Sequence, residues 1–178
     1  MKNKNLPRGF RNNNPLNIRN SASRWQGVRA EQTDKAFVQF ASITMGYRAA
    51  WRILESYFNH FEAQQVPFTP RNIIHRWAPH DENDSEAYLR QVCHLTTLAG
   101  NEALKRPSGL GIQSSRIPRR TRSCQSPHTI INDAYTAYAP QDKAKLIELL
   151  AAMTCIENGI SMNDVDREAI ENGLKLAF

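Results

Sequence analysis

The chain has 178 residues, enough for one domain with a real core, and 40% hydrophobic against 22% charged residues is ordinary globular usage that excludes wholesale disorder. No run of about 18 apolar residues is present, which excludes a spanning helix, and the basic stretch 1–5 is followed by no apolar segment, so no secretory signal peptide is read. A net charge of +6 and a pI near 9.5 point to an anionic partner, whether nucleic acid, membrane surface or bacterial wall, without choosing among them.

Residues 1–35 scatter prolines, glycines and asparagines, and the stretch RNNNPLNIRN at 11–20 holds five asparagines. Short extended pieces are expected at 16–19 and 36–40; in the second, Phe37 and Phe40 flank Val38 and the alternation is imperfect. With Ser42 as N-cap, Ile43, Tyr47, Ala50, Trp51, Leu54, Tyr57, Phe58 and Phe61 recur at steps of three and four, which predicts an amphipathic helix. A second helix is expected from Pro70 behind the N-cap Thr69, carrying Ile73, Ile74 and Trp77 and stopping at Ala78 and Pro79. In the polar loop that follows, Asp84 or Ser85 caps a third helix containing Tyr88, Leu89, Val92 and Leu95.

Between Gly100 and His128 the basic residues Lys105, Arg106, Arg116, Arg119, Arg120 and Arg122 stand against the single acid Glu102. With its serines, prolines and glycines this segment reads as a basic mobile surface loop over about 105–128, either a solvated linker or an electrostatic contact arm. No aromatic residue is interleaved with the arginines, which weakens the case for a base-stacking surface. A short helix at 130–139, a helix from Pro140 to about Glu157 and a last one at 164–177 complete a mainly α chain, read as one domain over 1–178.

Cys93, Cys124 and Cys155 are an odd number at wide spacings, which fits reduced thiols better than a disulfide framework. The histidines His60, His75, His80, His94 and His128 form no H-x3-H pattern, so no metal site is read from spacing, and no cofactor motif is present.

The chemistry concentrates where the helix from Pro140 ends. Leu146, Leu150, Met153 and Glu157 fall at i, i+4, i+7 and i+11, so a glutamate closes an apolar stripe, while Glu148 lies on the polar side and reads as solvated. A carboxyl held against hydrocarbon resists ionisation and keeps a proton for a leaving group, which is what a general acid needs. Asn158 and Gly159 accept left-handed geometry and end the helix at a groove lip. Periodicity alone favours the plainer reading, in which Glu157 reaches solvent at a helix end with no role.

The ordered motifs N-N-P-x-N-I-R (Asn13 to Arg19), W-x-G (Trp25 to Gly27), F-x-x-F (Phe37 to Phe40), G-x-R-A (Gly46 to Ala49), W-A-P-x-x-E-N (Trp77 to Asn83), Tyr88 and E-N-G (Glu157 to Gly159) are carried along nearly the whole chain outside the basic loop. Together they resemble phage and prophage lysozyme-like proteins, many of them known as virion structural proteins. The chain is more distantly similar to bacterial N-acetylglucosaminidases of the lysozyme-like superfamily. In those enzymes the glutamate helix comes first, whereas here it comes last, which implies a circular permutation. The resemblance implies a mainly α, lysozyme-like helical domain with a small β-hairpin near the N-terminus.

On this reading Glu157 protonates the bridging oxygen of a β-1,4 glycosidic bond in peptidoglycan, as a muramidase, glucosaminidase or lytic transglycosylase. Glu82 is the second choice of carboxylate, with anchoring of the next helix as its plainer role, and Glu55, one turn beyond Trp51, is the third. Tyr88 is expected to orient substrate or steady developing positive charge, and otherwise to pack. Asn12, Asn13, Asn14 and Asn17 offer amides to sugar hydroxyl and acetamido groups, or else cap turns of their own backbone. Trp25 and Trp77 either stack on sugar faces or belong to the core.

The expected partners are bacterial peptidoglycan and other phage or secretion-system proteins, with no specific nucleic acid and no cofactor. The protein is expected to be made in the bacterial cytoplasm and to act at the wall after release or delivery, in association with a virion. Two rivals stand beside the enzyme: a non-catalytic virion or baseplate protein, and a basic nucleic-acid-binding protein whose affinity would fall steeply with salt.

Overall fold

A computed structural model describes residues 6–81, 83–108 and 140–178. Among these residues the chain forms six α-helices: α1 (Arg8–Arg11), α2 (Ile43–Ala63), α3 (Pro70–Trp77), α4 (Ser85–Leu95), α5 (Pro140–Asn158) and α6 (Arg167–Ala177), with a 3-10 turn at Met162–Asp164. The mainly helical class therefore agrees with the sequence. The expected helix at 130–139, Cys124 and the basic loop from residue 109 onward lie outside the described residues.

The helix starts follow from local chemistry. Ser42 and Thr69 are extended and each side chain accepts the backbone N–H three residues on, from Met45 and Asn72, so one orphan donor is satisfied at each start. Asp84 does the same for Ala87 at 2.8 Å, opening α4. Helix α3 ends at Ala78 because Pro79 disfavours helical geometry in the residue before it. The buried Ser85 hydroxyl then donates to the Ala78 carbonyl, tying the end of α3 to the start of α4.

Helix α5 departs from the single-stripe expectation. Leu146, Leu149, Leu150, Ala151, Ala152, Met153 and Thr154 are all fully enclosed, because α1, α4 and α6 pack around it. Its polar Thr154 is accommodated by donating to Leu150 O at 2.8 Å and by meeting the Tyr47 hydroxyl at 3.2 Å. Glu148, expected to be solvated, is half-buried and accepts from Thr97 N and Oγ1, bracing the chain beyond α4. Helices α2 and α6 pack together, and the enclosed Trp51 donates its indole N–H to Ile170 O at 2.9 Å.

The expected hairpin is reduced, among the described residues, to two isolated antiparallel bridges, Arg19 with Phe37 and Val28 with Phe40. The reason is that side chains take over the ladder. Asn14 is fully buried; its Oδ1 accepts from Ile18 N at 2.9 Å and its Nδ2 donates to Ile18 O and Val38 O, each at 2.9 Å. Asn13 and Asn17 sit at φ 51° and 48°, a left-handed geometry that breaks a strand and that asparagine tolerates. Ile18, Val38, Phe40 and Ala49 form a second small core beneath this segment, covered by Trp25, Val28, Met45, Ile53 and Trp77.

Asp34 pins the segment to α1. Its carboxylate accepts from Arg8 Nε at 2.7 Å and Nη2 at 2.6 Å, from Asn12 Nδ2 at 2.7 Å, and from the backbone N–H groups of Ala36 and Phe37. The Arg8 hydrogen bonds first, then Asn12 and the two amides, hold its pKa far below the usual carboxylate range. Because the folded value is depressed, the stabilisation is complete above the unfolded value of about 4 and is lost as pH falls toward the folded one. Denaturant melts between pH 5 and 2 should therefore show falling stability in the wild type and a shallower fall in Asp34→Asn; equal slopes would remove Asp34 from this role.

Candidate functional site

The last turn of α5 meets three other segments at one carboxylate. Glu157 is half-buried; its Oε1 accepts from Tyr88 Oη at 3.1 Å and from Trp77 Nε1 at 3.3 Å, and its Oε2 accepts from Asn17 Nδ2 at 3.0 Å. The same Asn17 amide also donates to Glu157 O at 3.2 Å. Thus the end of α3, the second turn of α4 and the asparagine-rich leader converge on one residue of α5. Gly159, at φ 63°, closes the helix just beyond it.

The leader is brought there by close backbone approach. Asn158 Nδ2 donates to Pro15 O at 2.7 Å and to Thr154 O at 2.9 Å, so the helix end grips the turn at Pro15. On the other side the leader crosses α2 at Gly46, where a Cβ atom would stand 2.2 Å from Asn13 O and 2.8 Å from Pro15 Cδ. Only a residue without a side chain lets the leader lie that low.

The hydrogen-bonding roles are fixed by chemistry. An indole N–H and an amide NH2 can only donate, so Trp77 and Asn17 define Glu157 as acceptor on both oxygens. The Tyr88 phenol is pushed well above its ordinary pKa by burial and then by the charge and hydrogen bond of Glu157, so it remains an O–H donor through the working pH range. Among the described residues Oε1 holds two donors and Oε2 only the Asn17 amide.

The remaining sequence candidates are placed differently. Asn12 is buried between Asp34, to which it donates, and Gln39 Nε2, from which it accepts at 3.0 Å; Asn14 is the buried ladder substitute. Their amides are engaged within the scaffold, the other of the two roles expected of them. Asn13 is half-buried and its Nδ2 donates to Phe40 O and Ala41 O. Trp25 is half-buried against the second core, and its Nε1, like Asn17 Oδ1, is closed off from solvent with no hydrogen-bond partner among the described residues. Trp77 touches both cores while its nitrogen reaches Glu157.

Glu55 is buried and accepts from Arg106 Nε at 2.8 Å and from Ser108 N and Oγ at 3.0 Å, so it anchors the chain at 106–108 to α2. Glu82 lies outside the described residues. Among the described residues one concavity of about 910 Å³ is bordered by Arg8, Arg11, Arg29, Lys35 and Asp34, and another of about 580 Å³ lies beside Tyr57, Phe61 and His75. Glu157 borders neither.

Sequence spacing also missed a cluster. His75 near the end of α3, His80 in the connecting turn and Glu86 in the first turn of α4 bring their ligand atoms within 4.8 Å of one another. At i, i+5 and i+11 they share no helix face, and only the α3–α4 turn unites them. No helix among the described residues is long and apolar enough to cross a membrane.

No family model matches the chain. Over 125 residues, covering 68% of this chain and 74% of the other, it is 34% identical to protein P5 of the Pseudoalteromonas phage PM2.

The Gly46 crossing generates a direct test. Gly46→Ala should destabilise the fold by about 1–3 kcal/mol, the usual result of overpacking against backbone, in urea unfolding. An unchanged midpoint would mean that the leader does not rest on α2.

Proposed function

We propose, from the premise that this chain belongs to the family of protein P5 of Pseudoalteromonas phage PM2, that it is a phage-related protein whose Glu157 cleaves the glycan strands of peptidoglycan. The observation that carries this reading is the convergence of Asn17, Trp77 and Tyr88 on one half-buried carboxyl group. A general acid must be held in one geometry, and donors from three separate segments hold this one.

In the proposed step the proton sits on Oε2, the oxygen with a single donor, and passes to the bridging glycosidic oxygen as the bond breaks through an oxocarbenium-like state. Tyr88 and Trp77 keep Oε1 in place and steady the carboxylate left behind. The acceptor of the sugar cation is water, the neighbouring acetamido group or the sugar's own 6-hydroxyl. The net charge of +6 favours capture on an anionic wall.

A second reading is a phage structural protein without turnover. It is favoured by the family itself, since the relative is a phage protein. Here the same hydrogen bonds lock the leader to α3, α4 and α5 and nothing more.

Zymography on purified peptidoglycan separates the two. The enzyme reading expects clearing by the wild type and a loss of at least about 100-fold in Glu157→Gln, with cooperative unfolding retained. Wild-type protein that leaves the wall intact supports the structural reading, and equal clearing by the variant rejects Glu157 as the acid. Mass spectrometry of released fragments then identifies the bond and the product.

A further inference from the structure

We propose that His75, His80 and Glu86 form a binding site for a divalent transition-metal ion of the zinc type, which clamps the end of α3 to the start of α4. The ligand atoms already lie within 4.8 Å of one another, and the two imidazole rings stand edge to face with centroids 5.2 Å apart. His75 and Glu86 are half-buried, while His80 is exposed and gives an ion its entry. Modest rotation of the side chains brings the three atoms to a common centre.

The contact in place explains why a cation fits. His75 Nε2 lies 2.8 Å from Glu86 Oε1, a distance that requires a proton between the two atoms. A metal ion binds the same pair of lone pairs and takes the proton's place, with His80 as the third ligand. Two imidazole nitrogens and one carboxylate oxygen suit zinc and its neighbours; calcium and magnesium prefer oxygen alone.

Arg71 decides the selectivity. Its Nη1 bonds the same Glu86 Oε1, and its Nε donates to Asn101 Oδ1 at 3.0 Å, so the guanidinium stays anchored whether or not it keeps the carboxylate. Its positive charge opposes any cation at the site. An ion that gains most of its affinity from imidazole tolerates that repulsion, whereas one bound by carboxylate charge does not.

The consequence reaches Glu157. Trp77 stands two residues after His75 and Tyr88 two residues after Glu86, and both donate to that carboxyl group. An ion joining the two helices here fixes the separation of those donors. The proposal needs no catalysis at Glu157 and survives if that reading fails.

The test is calorimetric titration of zinc into chelator-stripped full-length protein, paired with thermal unfolding. The wild type should take up zinc at a single site and melt at a higher temperature when loaded, while calcium and magnesium produce neither effect. His75→Ala and His80→Ala should each weaken zinc binding at least about tenfold and abolish the thermal shift. His94→Ala, an exposed histidine outside the cluster, should bind like the wild type. If His75→Ala fails to fold, the exposed His80 decides. No zinc uptake by the wild type, unchanged affinity in His80→Ala, or equal loss in His94→Ala overturns the proposal.

Discussion

The grip of the last turn of α5 on the N-terminal leader is the constraint from which the rest of the arrangement follows. Asn158 holds Pro15 O, Asn17 returns the contact to Glu157 at both backbone and side chain, and the leader lies over Gly46 of α2. The contacts between the leader and α5 join residues some 140 positions apart, among the longest loop closures of the described residues. Such closures have a chain-entropy cost that rises slowly with separation, and several simultaneous polar contacts offset it better than one. Once the leader is docked, the second core forms beneath it and Trp77 is placed between the two cores.

That docking explains why the leader is rich in amides. A segment without strands still has to satisfy its backbone groups when it is buried. Asn14 does so by acting as a strand partner on two sides, and Gln39 does so by accepting from Thr33 and Asp34 while donating to Asn12. Neutral amides carry both donor and acceptor without the desolvation cost of a charge. The one carboxylate in the network, Asp34, is compensated by a bidentate arginine and three further donors.

Local signals in the sequence proved sufficient for the helix starts and insufficient for their surroundings. Ser42, Thr69 and Asp84 act on residues three positions away, so their capping is visible without tertiary information. The enclosure of α5 on all sides depends on where α1, α4 and α6 pack, which its own periodicity does not encode. The strands expected at 16–19 and 36–40 shrink to isolated bridges because the side chains of Asn14 and Gln32 replace backbone partners, an outcome that amide composition suggests but register does not determine. Glu157 was legible as an unusual acid after an apolar stripe. Its partners Trp77 and Tyr88 were legible only as aromatic residues, since the geometry that turns their polar atoms toward one carboxyl group arises from the α3–α4 turn.

The carboxyl group at the centre is both a chemical group and a crosslink, and the amide of Asn17 determines whether those roles can be separated. Replacing one carboxylate oxygen by NH2 at position 157 leaves one acceptor, which the Trp77 and Tyr88 donors together retain at Oε1. The new NH2 then faces Asn17 Nδ2, two donors in opposition. Asn17 Oδ1 is buried with no hydrogen-bond partner among the described residues, and a half-turn of its amide presents that oxygen to the new donor. The exchange gives up the bond from Asn17 Nδ2 to the backbone carbonyl of residue 157 and carries that NH2 into the enclosed position of Oδ1, and in return satisfies the buried oxygen and keeps the side chains of residues 17 and 157 joined. The crosslink therefore survives the loss of the acid, which is why a glutamine substitution distinguishes proton transfer from architecture at this residue.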